Sequence, residues 1–137
     1  MLNDGETFFT TIGCMDGRCQ EAVAEFGRKK FDAQYPDTIT DAGLVGILAN
    51  NPSEAFLSSL KNKITISLKK HYSRGILIDG HTECTGDPVD DTIQKDQIRK
   101  AIPLIQSLIN ASVPVIGVFV KRCHDDPSQW EVEEIAA

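Results

Sequence analysis

The stretch FFTTIGCMDGRC, Phe8 to Cys19, changes character halfway along. Its first seven residues are aromatic, β-branched or small, the composition of a strand. From Arg18 to Phe31 the apolar residues Ala22, Val23 and Phe26 recur at three- and four-residue intervals, the period of a helix. A strand that runs straight into a helix is the opening half of a βαβ unit. Cys14 ends the strand, and Asp16 and Arg18 stand at alternate positions in the turn after it.

Working outward, the same alternation recurs. DTITDAG, Asp37 to Gly43, reads as a second strand, with Pro36 before it and Gly43 ending it. Asn51, Pro52 and Ser53 offer a helix start, and Leu57, Leu60, Ile64 and Leu68 share one face of that second helix. GILIDG, Gly75 to Gly80, is a short continuous apolar run, typical of a strand buried on both sides of a parallel sheet. Ile98, Ala101, Ile102, Ile105, Leu108 and Ile109 mark a third helix, which Pro103 should kink or displace. PVIGVFV, Pro114 to Val120, is the fourth strand, and a polar tail with Trp130 closes the chain. The expected architecture is α/β: a mostly parallel four-stranded sheet flanked by helices, Rossmann-like, with right-handed crossovers. Residues 1–137 are expected to form a single domain, since their number suits one core and not two. Sites in such sheets lie beyond the carboxyl ends of the strands, where strand order reverses. Cys14 ends the first strand and His81 comes directly after the third, so both fall on one edge of the sheet.

The composition, 41% hydrophobic and 25% charged with a net charge of −6, is that of a soluble globular protein and argues against nucleic acid or an anionic membrane as partner. No apolar run approaches the roughly 18 residues of a membrane span. The N-terminal MLNDGETFF carries acidic residues where a signal peptide carries basic ones, so a cytoplasmic location is expected. There Cys14, Cys19, Cys84 and Cys123 stay thiols, and those beside His and Asp are read as metal-binding or catalytic. Cys19 alone reads as core, CHDD at Cys123 to Asp126 as a solvated strand exit, and His71 as a helix-end residue that complements the dipole. Phe8, Phe9 and Trp130 suit a dimer contact or the core equally well.

Cys14, His81 and Cys84 together supply two thiolates and an imidazole, a three-ligand zinc set that leaves the fourth tetrahedral position open. Asp16 is a carboxylate able to accept a hydrogen bond from water at that position. Arg18 can hold it in place and keep it ionised through a bidentate pair. Taken singly, Asp16 would be a helix N-cap and Arg18 a solvated charge. Their conjunction with the ligand set favours the catalytic reading.

The motifs Cys14-Met15-Asp16-Gly17-Arg18 and Gly80-His81-Thr82-Glu83-Cys84 resemble those of the β-class carbonic anhydrases, C-x-D-x-R and G-H-x-x-C. They resemble in particular a small branch with C-M-D-G-R. Thr40-Asp41-Ala42-Gly43 stands where that family usually carries R-N-A-G, and Gly17 where it carries serine. The resemblance spans roughly Phe9 to Arg122. It implies a β-carbonic-anhydrase-like fold, Zn2+ held by Cys14, His81 and Cys84, and Asp16 and Arg18 as a catalytic dyad. It implies reversible hydration of carbon dioxide to bicarbonate by a zinc-bound hydroxide, with Asp16 a fourth ligand in the closed state of some members. A homodimer or higher homo-oligomer is expected on the same ground. The alternatives are a non-catalytic zinc-binding relative, or a hydrolase of carbon disulfide or carbonyl sulfide.

Overall fold

A computed structural model of the protein describes residues 2–136. Its elements run β1 (Phe8–Cys14), α1 (Gln20–Phe31), β2 (Tyr35–Asp41), α2 (Leu44–Ala49), α3 (Glu54–Lys70), β3 (Ile76–His81), α4 (Asp91–Leu108), β4 (Val115–Arg122) and β5 (Trp130–Ile135). The strands form one sheet in the order β2-β1-β3-β4-β5, parallel except for β5, which pairs antiparallel with β4. The mostly parallel α/β architecture is as expected from the alternation of strands and helices.

Among the described residues the strands number five, not four. The tail at Trp130 is a strand, with Arg122 opposite Trp130 and Gly117 opposite Ile135. Three glutamates among its six residues disguise it. Glu133 is neutralised by Lys95 at 2.9 Å and Lys121 at 3.1 Å, and Ile135 is buried. The short helix α2 is a second addition to the expected elements. LVGILA is apolar nearly throughout and carries no period to betray a helix. Pro103 does not break α4, which begins at Asp91 behind the Asp90 cap and runs through it. The ring lies on the exposed side of the helix.

Alternation along the strands divides the core between the two faces of the sheet. Ile76 and Ile78 of β3 join a cluster with Leu48, Ile64, Ile98 and Ile105, beneath α2, α3 and α4. Leu77, between them, joins Phe9, Val23 and Phe31 under α1. The β1–β3 ladder ends at Ile12 and Ile78. By contrast β1 stays paired with β2 as far as Cys14, and β3 with β4 as far as His81. Strand order reverses between β1 and β3, so their carboxyl ends part and open a crevice there.

Candidate metal centre

The crevice brings Cys14, His81 and Cys84 together: their ligand atoms all lie within 4.8 Å of one another, and all three residues are buried. Cys14 and His81 close β1 and β3, and Cys84 comes next in a turn shaped by Glu83 in the left-handed region, φ 58°. His81 Nδ1 lies 2.8 Å from the Thr82 carbonyl. A carbonyl only accepts, so Nδ1 carries the proton and Nε2 presents a lone pair. Nε2 is buried and has no hydrogen-bond partner among the described residues. A buried lone pair left unmatched is costly unless something fills it.

The sulfurs fit the same occupant. Two thiolates each about 2.3 Å from a tetrahedral zinc lie about 3.8 Å apart, and Cys14 Sγ and Cys84 Sγ are 3.8 Å apart. The Gly43 N–H donates to Cys14 Sγ at 3.4 Å, and the N–H groups of Gly86 and Asp87 favour the thiolate of Cys84. Burial and the neighbouring Cys14 push the Cys84 thiol up. Gly43 has φ 62°, and a Cβ there would press on the Gly86 backbone. Only glycine lets the end of β2 approach the loop that carries Cys84.

Asp16 lies beside the cluster, Oδ2 3.9 Å from His81 Nε2. It does not cap α1, whose N-cap is Cys19 and has no side-chain capping bond. Asp16 Oδ1 accepts instead from the Arg18 backbone N–H at 2.9 Å, and the Arg18 fork reaches both carboxylate oxygens, closest at 2.7 Å from Nη2 to Oδ2. The Arg18 hydrogen bond holds the Asp16 carboxyl down at about 2. Asp16 is therefore an anion throughout the physiological range.

Cys19 is fully buried, its thiol pushed up by burial and donating to the Asp16 carbonyl at 3.1 Å, in keeping with a core role. Cys123 lies outside the cluster, and His124, Asp125 and Asp126 are exposed in the β4–β5 connection. His71 ends α3, and its Nδ1 meets Asp37 Oδ2 at 2.7 Å. Phe9 is core, while Phe8 stacks on His71 at 4.2 Å.

Two contributors escaped the sequence reading. Gln94 of α4 accepts a hydrogen bond from the His81 N–H and donates to Asp87 Oδ2 at 3.4 Å, tying the helix to the turn that carries Cys84. Nothing in its spacing marks it. Asp79 did leave a signal, a lone carboxylate inside ILIDG. It is 4% exposed, and burial pushes its carboxyl up from 3.8 to about 8, opposed by the Cys14 N–H. Native protein thus keeps a proton that the unfolded chain gives up above its ordinary value. This group's effect on stability is most favourable below about pH 4, declines as pH rises to about 8, and is level beyond. In the metal-free protein, Asp79→Asn should flatten that decline in urea midpoints measured from pH 5 to 9. An unchanged slope would show that Asp79 is ionised at neutral pH.

Among the described residues no helix is long and apolar enough to cross a membrane. The family model described as "Putative carbonic anhydrase" matches residues 4–136. Among solved structures the chain is similar to β-carbonic anhydrase isoform I of Trichomonas vaginalis, with 18% identity, 98% of this chain and 86% of that one covered, and a TM-score of 0.58. It is similar also to the β-carbonic anhydrase CafA of Aspergillus fumigatus, with 14% identity, 97% and 78% covered, and a TM-score of 0.61. At such identities the likeness is one of fold. No curated protein matches the chain in sequence.

Proposed function

Because the chain belongs to this carbonic anhydrase family, we propose that it binds zinc through Cys14 Sγ, His81 Nε2 and Cys84 Sγ and hydrates carbon dioxide reversibly, CO2 + H2O giving bicarbonate and a proton. The observation that carries this reading is the buried, unpartnered His81 Nε2 between two sulfurs, with an ionised carboxylate 3.9 Å away. Zinc, when bound, supplies the Lewis acidity that activates water near neutral pH.

The chain's own groups do the rest. The Thr82 carbonyl fixes the His81 tautomer, and the Gly43, Gly86 and Asp87 N–H groups spread the thiolate charge. Asp16 accepts a hydrogen bond from the reacting water and turns its lone pair toward the carbon. With its carboxyl held at about 2, Asp16 is an orienting acceptor and a poor proton store, so the released proton passes to solvent. Arg18 keeps the carboxylate beside the metal position and away from it.

Stopped-flow carbon dioxide hydration on zinc-quantified protein tests the reading. Asp16→Asn should retain full zinc and lose about a hundredfold in kcat, the scale of a positioned catalytic carboxylate. Loss of zinc in that variant would make Asp16 structural. Stoichiometric zinc without hydration in the unsubstituted protein would instead favour a non-catalytic metal protein. A homodimer and a cytoplasmic setting go with the same proposal. A monomer in sedimentation of the zinc-loaded protein would remove the first.

A further inference from the structure

Arg18 has contacts on the side away from Asp16 that the chemistry above does not use. Its guanidinium lies 5.3 Å from the centroid of the Trp130 ring, its Nη2 donates to the Glu83 carbonyl at 3.3 Å, and its Nη1 is 3.7 Å from Glu83 Oε1. Glu83 is itself gripped by the Arg122 fork, at 2.7 Å from Nε and 3.1 Å from Nη2. Arg122 stacks on the same Trp130 ring at 4.4 Å and donates to the Pro127 carbonyl at 2.8 Å. The result is a closed ring of contacts, Arg18–Glu83–Arg122–Trp130–Arg18, with the carboxylate between two like charges that meet one aromatic ring.

From these contacts we propose that Trp130, Glu83 and Arg122 are positioning residues that hold Arg18 in the rotamer pairing with Asp16. This rests on the hydratase reading for its role in turnover, though not for its geometry. The Arg18 side chain is 41% exposed, and a free arginine on a surface samples many rotamers. Asp16 alone orders only one edge of the guanidinium. The aromatic face adds cation–π attraction, and the Glu83 carbonyl and carboxylate meet the outer N–H groups.

Trp130 reaches the site only because β5 pairs antiparallel with β4, which places it directly opposite Arg122 on one face. Trp130 also packs in the cluster that contains Val23 and Phe31, so its ring is braced from behind. Glu83, at φ 58°, adopts a conformation seldom taken by residues other than glycine. The turn between two proposed ligands therefore carries strain and aims the Glu83 side chain at both arginines. Exposed ion pairs contribute little to stability, so the ring is better explained as orientation than as a brace for the fold.

The test reads the Nε–H resonance of Arg18 by nitrogen-15 NMR on the full chain, with and without added zinc, assigned by its loss in Arg18→Lys. In Trp130→Leu and in Glu83→Gln, exchange of this proton with water should speed up roughly three- to tenfold, the scale of one lost cation–π or ionic contact. Trp130→Phe should restore the slow exchange, which a role limited to filling space would not require. Glu83 is half-exposed, so its variant keeps the test open should Trp130→Leu misfold. In zinc-loaded protein kcat should fall in step with the lost protection while zinc content holds. Unchanged Arg18 exchange in Glu83→Gln and Trp130→Leu would overturn the proposal. Absence of hydration by the unsubstituted protein would overturn the hydratase reading and leave exchange to decide the clamp alone.

Discussion

Cys14→Ser is expected to abolish stoichiometric zinc binding and, with it, carbon dioxide hydration. Serine offers a hydroxyl that does not ionise near neutral pH, in place of a soft thiolate. The Gly43 N–H that now meets the sulfur would face a neutral oxygen, so the site loses a ligand and the polarity that favours it. Loss of a supporting contact alone typically lowers metal affinity about 10- to 100-fold, so loss of a ligand should exceed about a hundredfold. Zinc content after gel filtration and competition with a chromophoric chelator measure this directly. Adding zinc to the unsubstituted protein should raise its melting temperature, and in Cys14→Ser that rise should vanish. His81→Ala should behave alike while preserving the Gln94 contact, which uses the His81 backbone. Full zinc content in Cys14→Ser would remove Cys14 from the ligand set.

Gly13→Ala should be strongly destabilising for a single added methyl. A Cβ at Gly13 would sit about where the Asp79 carboxyl group lies, closest to Oδ1, and that residue is only 4% exposed. Overpacking of this kind costs about 3 kcal/mol at the upper end of the usual range, or about 10 °C in melting temperature for a chain of this size. Gly13 also precedes Cys14, so relief by backbone movement would drag a proposed ligand out of place. Melting curves and zinc titrations should therefore worsen together. In an Asp79→Ala background the same alanine should be nearly neutral, an interaction readable by a double-mutant cycle. Additive losses would mean that the damage arises elsewhere than at the carboxyl group.

The sequence is legible where its periodicities are clean. β1 and β3 are short runs bounded by polar residues, so the positions of Cys14 and His81 at their ends, and hence on one sheet edge, can be inferred before any coordinates. Strand β5 cannot, because glutamates occupy half of it, and the lysines that pair with Glu133 and Glu134, Lys95 and Lys121 for the first and Lys30 for the second, lie in other elements. Asp16 and Arg18 are legible as a pair because their contact is local. Arg18's remaining partners, Glu83 and Trp130, come from a turn and a strand that no spacing rule relates to it. Gln94 meets the His81 backbone rather than its imidazole, and such a contact leaves no residue-type signature.

The early end of the β1–β3 ladder gives the pairing of Cys14 with Cys84 a second significance, in polymer terms. Beyond Ile12 and Ile78 no ladder joins the two strands, and Cys14 and Cys84 meet across the gap although 70 positions separate them along the chain. An ion gripping both sulfurs closes that loop much as a covalent cross-link would. For a covalent link closing a loop of this length the chain-entropy model gives about 4 kcal/mol, whereas an ion released on unfolding would stabilise the folded chain through its binding free energy. A cation in this crevice would then serve two ends at once, drawing the tips of the sheet together as the chain folds and remaining in place for chemistry afterward.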